Sequence, residues 1–411
     1  MANRKRPSMA LDNSTSTTTT TPIDTTPKHC KSKNFSDIDQ KHQPKDSNNE
    51  SVLLPGLPNH LAQLCLSSLH PSLLSSVCSS WRRLIYSPSF PPFFSLYALL
   101  SPSSSSITRN KDQDQSNSIE FFALDPISSM WRQLPSPPPD PPLRLLLRHP
   151  SFISRNLPIQ SLTVNNYLVL VAATTHGFLP ALSCPLVFDP VSGQWFSGPP
   201  LSTPRRWCIT GSVNGTVYIA SGVGTHYQGD VGRSLLKWDM KKNNDEWNWE
   251  NMATLKDGRF SREAVEAVGY RGKLYMVNVK GNAVKQGAVY DVEMDRWEEM
   301  PERMVTGWNG PAAVMDGEDV MYVVDEAKGV LSKYDFDINC WEKVMEFPEH
   351  LKGAEQIAAG RGRVCVVCAN NQKIVVVDVV ARPVKLWVVD LLPEMEVVAV
   401  HIMPRMSRPE Y

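Results

Sequence analysis

The sequence predicts a mainly β fold, a six-bladed ring of four-stranded sheets behind a small α-helical module and a disordered N-terminal tail. Its first support is a recurrence: Asp125/Trp131, Asp189/Trp195, Asp239/Trp247, Asp291/Trp297, Asp335/Trp341 and Asp378/Trp387 each set a tryptophan shortly after an aspartate that closes an apolar run. Four pairs keep a spacing of six, and successive aspartates lie 64, 50, 52, 44 and 43 residues apart, a period suited to propeller blades and too long for ankyrin or leucine-rich units. The second support is a set of tight-turn signals between the pairs. The third is a switch to helical spacing between Leu57 and Ile85.

Taken in chain order, residues 1–50 are polar, with a Ser/Thr run from Ser14 to Thr21, and hold too little apolar surface to offset the entropy of ordering. They are expected to be disordered, and Arg4-Lys5-Arg6 reads as a solvated basic end or, alternatively, a weak nuclear signal. The helical module spans 51–90. Leu57, Leu61, Leu64, Cys65 and Leu69 recur at intervals of three and four, with Pro58 suited to a first turn. Pro71 restarts the pattern, Leu74, Val77, Cys78, Trp81 and Leu84 form a second apolar stripe, and Pro88 ends it.

The ring spans 93–404. Asn165-Asn166, Asn214-Gly215, Arg271-Gly272, Gly317-Glu318 and Arg361-Gly362 each join two apolar runs, so each reads as a β-hairpin whose turn tolerates positive φ. A third strand ends at each aspartate and a fourth starts at each tryptophan. One such sheet cannot bury its own faces, but a ring of them can. Only the first repeat lacks a strand. Phe94 to Leu100, Ile119 to Asp125 and the run from Trp131 give three, and Glu396 to Ile402 at the far end is apolar enough to be the fourth. Ser101 to Ser118 reads as a loop inside this repeat, and Pro135 to Pro142 as a stiff connector.

These residues resemble the kelch repeat: Trp131 with Leu134-Pro135, Trp297 with Met300-Pro301 and Arg303, and Trp341 with Phe347-Pro348 match the latter part of its pattern. The glycine pair of that pattern is absent. Only Ser221-Gly222 comes near it, while Ala172-Ala173, Asn278-Val279 and Cys368-Ala369 stand at the equivalent stretches. The run Leu57-Pro58-Asn59-His60-Leu61, Leu69 and Val77-Cys78-Ser79-Ser80-Trp81-Arg82-Arg83-Leu84 resembles an F-box, although Asn59 and His60 stand where that module usually carries an acidic residue. The whole chain is similar to plant F-box/kelch-repeat proteins of the Skp-interacting type.

The resemblance implies a substrate receptor of an SCF-type cullin ubiquitin ligase, with no catalysis of its own. Leu57, Pro58, Leu61, Val77, Trp81 and Leu84 would build the site for a Skp-class adaptor, and through it a cullin. The propeller would hold the protein to be modified. Partners of similar propellers bind the connections from one blade to the next, which here carry Arg155, Arg205, Arg206, Trp207, Arg259, Arg262, Arg303, Trp308 and Asn309. Arginine and tryptophan there suit an acidic or phosphorylated segment. A protein-binding scaffold without ubiquitin transfer and, further off, a propeller enzyme are the rival readings.

Composition narrows the classes. Lys plus Arg and Asp plus Glu are both 42, so no net field draws the chain to nucleic acid or to a membrane surface. No run reaches transmembrane length and the N-terminus lacks an apolar signal core, which points to the cytoplasm or the nucleus. The eight cysteines then read as reduced thiols. Cys365 and Cys368 form a lone CxxC in a strand, where positions three apart face opposite sides, so no metal or redox site is expected. Gly222-Val223-Gly224 lacks the third glycine and the following helix of a dinucleotide fingerprint, and nine scattered histidines give no ligand spacing. No cofactor, metal or catalytic residue is predicted.

Overall fold

The computed structural model describes residues 52–406 apart from 70, 88, 92, 104–118, 139–158, 175–178, 257, 259, 261–263, 281–283, 316–318 and 369–372. The tail of residues 1–50, Arg4-Lys5-Arg6, the Gly317-Glu318 turn, most of the Ser101–Ser118 loop and half of the Pro135–Pro142 connector lie outside these residues.

Three short helices come first: α1 (Asn59–Ser67), α2 (Pro71–Val77) and α3 (Ser79–Tyr86). The sequence predicts one continuous stripe from Pro71, but the chain breaks at Cys78, which is extended at φ −157° and caps α3. Two serines follow, poor helix formers that favour termini. Arg82 stabilises the break, its Nε and Nη2 donating to the Ser75 carbonyl at 3.1 and 3.0 Å near the end of α2.

Six four-stranded antiparallel sheets follow as blades. Blade 2 is β4 (Ile159–Val164), β5 (Tyr167–Ala173), β6 (Leu186–Asp189) and β7 (Gln194–Ser197). Blade 3 is β8 (Ile209–Val213), β9 (Thr216–Ala220), β10 (Leu235–Asp239) and β11 (Glu250–Asn251). Blade 4 is β12 (Ala264–Tyr270), β13 (Lys273–Lys280), β14 (Gly287–Asp291) and β15 (Arg296–Glu299). Blade 5 is β16 (Ala312–Met315), β17 (Val320–Asp325), β18 (Val330–Asp335) and β19 (Cys340–Glu346). Blade 6 is β20 (Ala354–Gly360), β21 (Arg363–Cys368), β22 (Lys373–Asp378) and β23 (Lys385–Asp390).

Blade 1 joins both ends of the ring: β1 (Phe94–Pro102), β2 (Glu120–Asp125) and β3 (Met130–Gln133) are completed by β24 (Met395–Pro404) on the inner side. The register runs from Phe94↔Pro404 to Pro102↔Met395, as the apolar C-terminal run predicts. Tyr97 seals the closure by donating its hydroxyl to the Pro404 carbonyl at 2.6 Å.

The two sequence recurrences have physical counterparts. In the hairpin turns, Asn165, Asn166, Asn214, Gly215, Arg271, Gly272, Arg361 and Gly362 all have φ between 44° and 73°, the left-handed pair that a two-residue hairpin needs. All six aspartates cap the turn after them with Oδ1. The donors are the backbone amides of Ile127, Val191, Lys241, Glu293, Asp337 and Val380, at 2.8 to 3.2 Å.

The tryptophans tie blade to blade. Indole N–H groups of Trp131, Trp195, Trp297 and Trp341 donate to the carbonyls of Asp390, Pro135, Ala253 and Met304, each just past the outer strand of the preceding blade or at its end, at 2.7 to 3.1 Å. Blade 3 corrects the sequence reading. Trp249, not Trp247, makes this bond, to the Pro199 carbonyl at 2.9 Å, whereas Trp247 turns back to its own Lys242 carbonyl. Trp387 lies 38% exposed beneath the Arg363 guanidinium.

The core is divided into six clusters, one per blade junction, such as Val169, Val187, Ile219 and Trp238 between blades 2 and 3. Cys365 packs toward blade 1 and Cys368 toward blade 5, so the CxxC pair does point to opposite faces. A seventh cluster holds the helices together: Leu66, Leu74, Leu84, Ile85 and Phe90, joined by Trp81 and by Ile127 from blade 1.

Deleting residues 395–411 should expose two sheet edges at once. Aggregation or a large drop in melting temperature is the expected result, and a monomeric product with unchanged melting would count against closure by β24.

His401, buried on β24, accepts or donates at both ring nitrogens, to Ser161 Oγ at 2.9 Å and Thr163 Oγ1 at 3.2 Å. Burial pushes its pKa down to about 4. The unfolded chain therefore binds a proton that the fold excludes as pH falls from the ordinary histidine value near 6.5 toward 4. The stability that the neutral ring provides is present above this window and lost through it. His401→Gln should flatten the melting-temperature profile between pH 7 and about 4, checked by thermal scans across that range.

Candidate functional site

Two surfaces qualify, and they lie on opposite faces of the ring. The helical module packs on the face where β24 ends beside the start of β1 and where the turn joins β2 to β3; there Ile127 joins its core and Tyr86 reaches Asp125. The other face carries the blade-to-blade connections.

On the module, α1 turns Ala62 and Leu66 inward and leaves Leu61 and Leu64 outward, 42% and 69% exposed, with Leu57 just before it 41% exposed. In α2, Leu74 is fully buried while Leu73 and Val77 are 61% and 58% exposed. Seven of the seventeen large apolar side chains exposed among the described residues fall between Val52 and Val77. Such concentration on one small module marks an interaction surface, since scattered exposed apolar residues are ordinary but clustered ones are not.

The six predicted adaptor residues therefore divide. Leu57, Pro58, Leu61 and Val77 are at the surface. Trp81 is half-buried, its indole donating to the Leu53 carbonyl at 2.8 Å, and Leu84 is buried. These two hold the module together. Leu64, Leu69 and Leu73 also belong to the exposed face. Helical spacing alone marks them as apolar, but which side of each helix meets the core depends on how three helices pack.

On the opposite face, the connection from blade 2 to blade 3 holds Arg205, Arg206 and Trp207. Arg205 is buried, donating to the Ser221 carbonyl at 3.0 Å and to Ser234 Oγ at 2.8 Å. Its charge meets no carboxylate among the described residues, and burial pulls its pKa down. Arg206 lies over the Trp207 ring at 4.4 Å, in a segment held to the next loop by the Arg206–Val223 bridge. Trp207 sits at φ +53°, a conformation that directs the chain sharply at this point.

The remaining predicted residues do not all join them. Arg303 is exposed on α5 (Glu302–Gly307), the connection from blade 4 to blade 5. Trp308, expected at the substrate surface, is fully buried against Trp341 and serves the core. Asn309 accepts from Lys285 at 2.6 Å and donates to Asp325. Arg155, Arg259 and Arg262 lie outside the described residues.

Lys285 was not anticipated. It lies on the same face, beside a cavity of about 730 Å³ floored by Phe260, Trp297 and Met300, and burial lowers its pKa. No group of three or more histidine, cysteine, aspartate or glutamate side chains among the described residues is placed to hold a metal ion. No helix among them is long and apolar enough to cross a membrane.

Comparison with known proteins adds a family to this geometry. No family model matches the sequence. The chain is 50% identical over 372 residues to the F-box/kelch-repeat protein SKIP25 of Arabidopsis thaliana, across 89% of this chain and 92% of that protein. It is 25% identical over 301 residues to the F-box protein AFR of the same plant, across 71% and 74% of the two chains. With the F-box/kelch-repeat protein SKIP4 it shares 24% over 194 residues, about half of each. A likeness at half identity over nearly the full length, on a six-bladed ring preceded by three short helices, makes this chain a member of the F-box/kelch-repeat family.

Proposed function

We propose that this chain is the substrate-recognition subunit of an SCF-type cullin ubiquitin ligase. The exposed leucines of the helical module dock a Skp-class adaptor, which links to the cullin, and the propeller holds a protein substrate on its opposite face. The observation that carries the reading is the unpartnered apolar face of Leu57, Leu61, Leu64, Leu73 and Val77 on a module whose own core is already complete without them. Such a receptor breaks and forms no covalent bond. Its chemistry is proximity: it raises the effective concentration of substrate lysines near the charged conjugating enzyme.

The substrate site in this proposal centres on Arg206 and Trp207, with Arg303 further round the ring, and takes an acidic or phosphorylated segment. A planar guanidinium stacked on an indole is pre-oriented, so little side-chain entropy is lost when it forks onto a carboxylate or phosphate. Buried Arg205 behind it adds positive potential that no carboxylate among the described residues cancels. The proposal places the protein in the cytoplasm or nucleus, where the seven described cysteines, all free, stay reduced.

Leu61 is partly exposed, so Leu61→Glu should spare the fold and still place a charge in the adaptor contact. Adaptor affinity, measured by calorimetry on the full chain, should fall by about thirtyfold or more. Wild-type affinity in a folded variant would exclude this face.

Arg206→Glu should abolish binding of acidic and phosphorylated peptides in an array while leaving adaptor affinity and melting temperature unchanged. Peptide recovery equal to that of the unaltered protein would move the substrate site elsewhere on the ring.

A further inference from the structure

Where the helical module meets the ring, one cluster of charged and aromatic groups joins the module to the two ends of the ring. Arg405 directly follows β24, and its guanidinium lies over the Tyr86 ring at 3.8 Å and near the Phe93 ring at 5.1 Å. Its Nη1 donates to the Ile85 carbonyl at 3.4 Å, at the end of α3, and its backbone N–H donates to the Phe93 carbonyl at 2.8 Å. Tyr86 in turn donates its hydroxyl to Asp125 Oδ2 at 3.1 Å, on blade 1.

Asp125 is the turn-capping aspartate of its blade, and of the six it alone is buried, at 4% exposure. Burial pushes its carboxyl up, but the Ile127 amide, the Arg405 charge, the Tyr86 hydroxyl and Arg132 together outweigh that and hold it below the ordinary value. The charged form is thus the one that the module meets. A carboxylate, a phenol and a guanidinium in series have one good arrangement, because losing any partner strands a poorly solvated polar group.

Among the described residues, the module core meets the ring through apolar side chains. Only residues 87–93 separate α3 from β1, and Phe93 and Ile127 are the ring side chains that pack on the module core. Apolar contacts of this kind are non-directional and tolerate rotation, whereas a bidentate or stacked guanidinium does not. We propose that Arg405, Tyr86 and Asp125 form an orientation clamp, with Arg405 and Tyr86 as positioning residues that fix the adaptor-docking module relative to the substrate face and so decide which lysines ubiquitin can reach. The clamp itself is a statement about this chain, while its effect on transfer rests on the ligase reading above.

Two measurements on the full chain test it. Spin labels at Ser68→Cys on the module and Ser202→Cys on the ring's opposite face, with Cys30, Cys65, Cys78, Cys184 and Cys340 changed to serine, report the distance between the two surfaces. A narrow distribution in the otherwise unaltered protein should broaden in Arg405→Ala and, with the stacked ring kept, partly broaden in Tyr86→Phe. Distributions that stay the same in both variants would overturn the clamp.

The second measurement maps self-modification of the chain's own lysines, with Skp-class adaptor, cullin, conjugating enzyme and ubiquitin reconstituted. The lysines most used in the unaltered chain should lose occupancy by about tenfold in Arg405→Ala as modification spreads to others. Adaptor affinity should not change, and Arg405→Lys, which keeps the charge but not the planar stack, should not restore the pattern. An unchanged lysine pattern beside a broadened distance distribution would overturn the positioning role. If the unaltered chain fails to recruit the adaptor, the ligase reading falls and the distance measurement alone decides the clamp.

Discussion

The hydrogen bond from a tryptophan indole to a carbonyl at the exit of the preceding blade is what the ring depends on. Each blade buries one face against each neighbour, and hydrophobic packing alone leaves the angle between two sheets free to slide. The indole fixes it at five of the six junctions, because a flat side chain bonded at its far end sets both spacing and tilt. Each bond contributes on the order of 1 kcal/mol net. Removing the partner of a half-buried indole costs more than that, so the geometry is held by the penalty for leaving it. The sixth junction uses other means: the Gly353 amide donates to the Glu326 carbonyl at 2.7 Å, and Leu351 of the short helix α6 (Pro348–Leu351) is buried between the blades.

Ring closure converts this local geometry into a global one. Because β24 is the inner strand of the blade that starts at Phe94, the two ends of the ring meet at the same place where the helical module enters. An N-terminal module on a linear repeat array would hang from one end. Here it rests on a strand pair contributed by both ends, so its seat exists only when the whole ring is folded. The two candidate surfaces then depend on the same folded state, although they lie on opposite faces.

Much of this was legible in the sequence because period and turn chemistry are local. Six Asp/Trp pairs, hairpin turns with Asn-Gly or Arg-Gly, and the apolar C-terminal run each predicted what the structure shows, down to the partner of β1. The blade 3 tryptophan was misread because the insertion after Asp239 carries both Trp247 and Trp249. The clue was present: Trp131, Trp297 and Trp249 each stand three residues before Leu134, Met300 and Met252, and Trp247 does not. The sites were less legible. Trp308 looks like a surface anchor by its place in a connection, yet α5 turns it into the core. Whether a tryptophan or arginine in a loop faces solvent depends on how that loop folds back, which no spacing records. The outward place of Leu73 was likewise hidden, since a helix between two others can turn either flank of its stripe to the outside.

The aspartates show how a repeated structural device acquires a single-copy role. In all six blades one carboxylate oxygen, Oδ1, is taken by the turn amide. That leaves Oδ2 for the blade's own circumstances. In blade 2 it accepts the Ser192 amide at 3.3 Å, and in blade 4 it meets Lys273 at 3.1 Å. In blade 1 it accepts the Tyr86 hydroxyl and lies 3.7 Å from Arg132. The blade's own turn amide holds the carboxylate in place, so Oδ2 is fixed on the face where the module rests. A module that places a tyrosine at that spot gains a directional contact without altering the blade, and the same residue that caps a turn elsewhere becomes the anchor between the two working parts of the molecule.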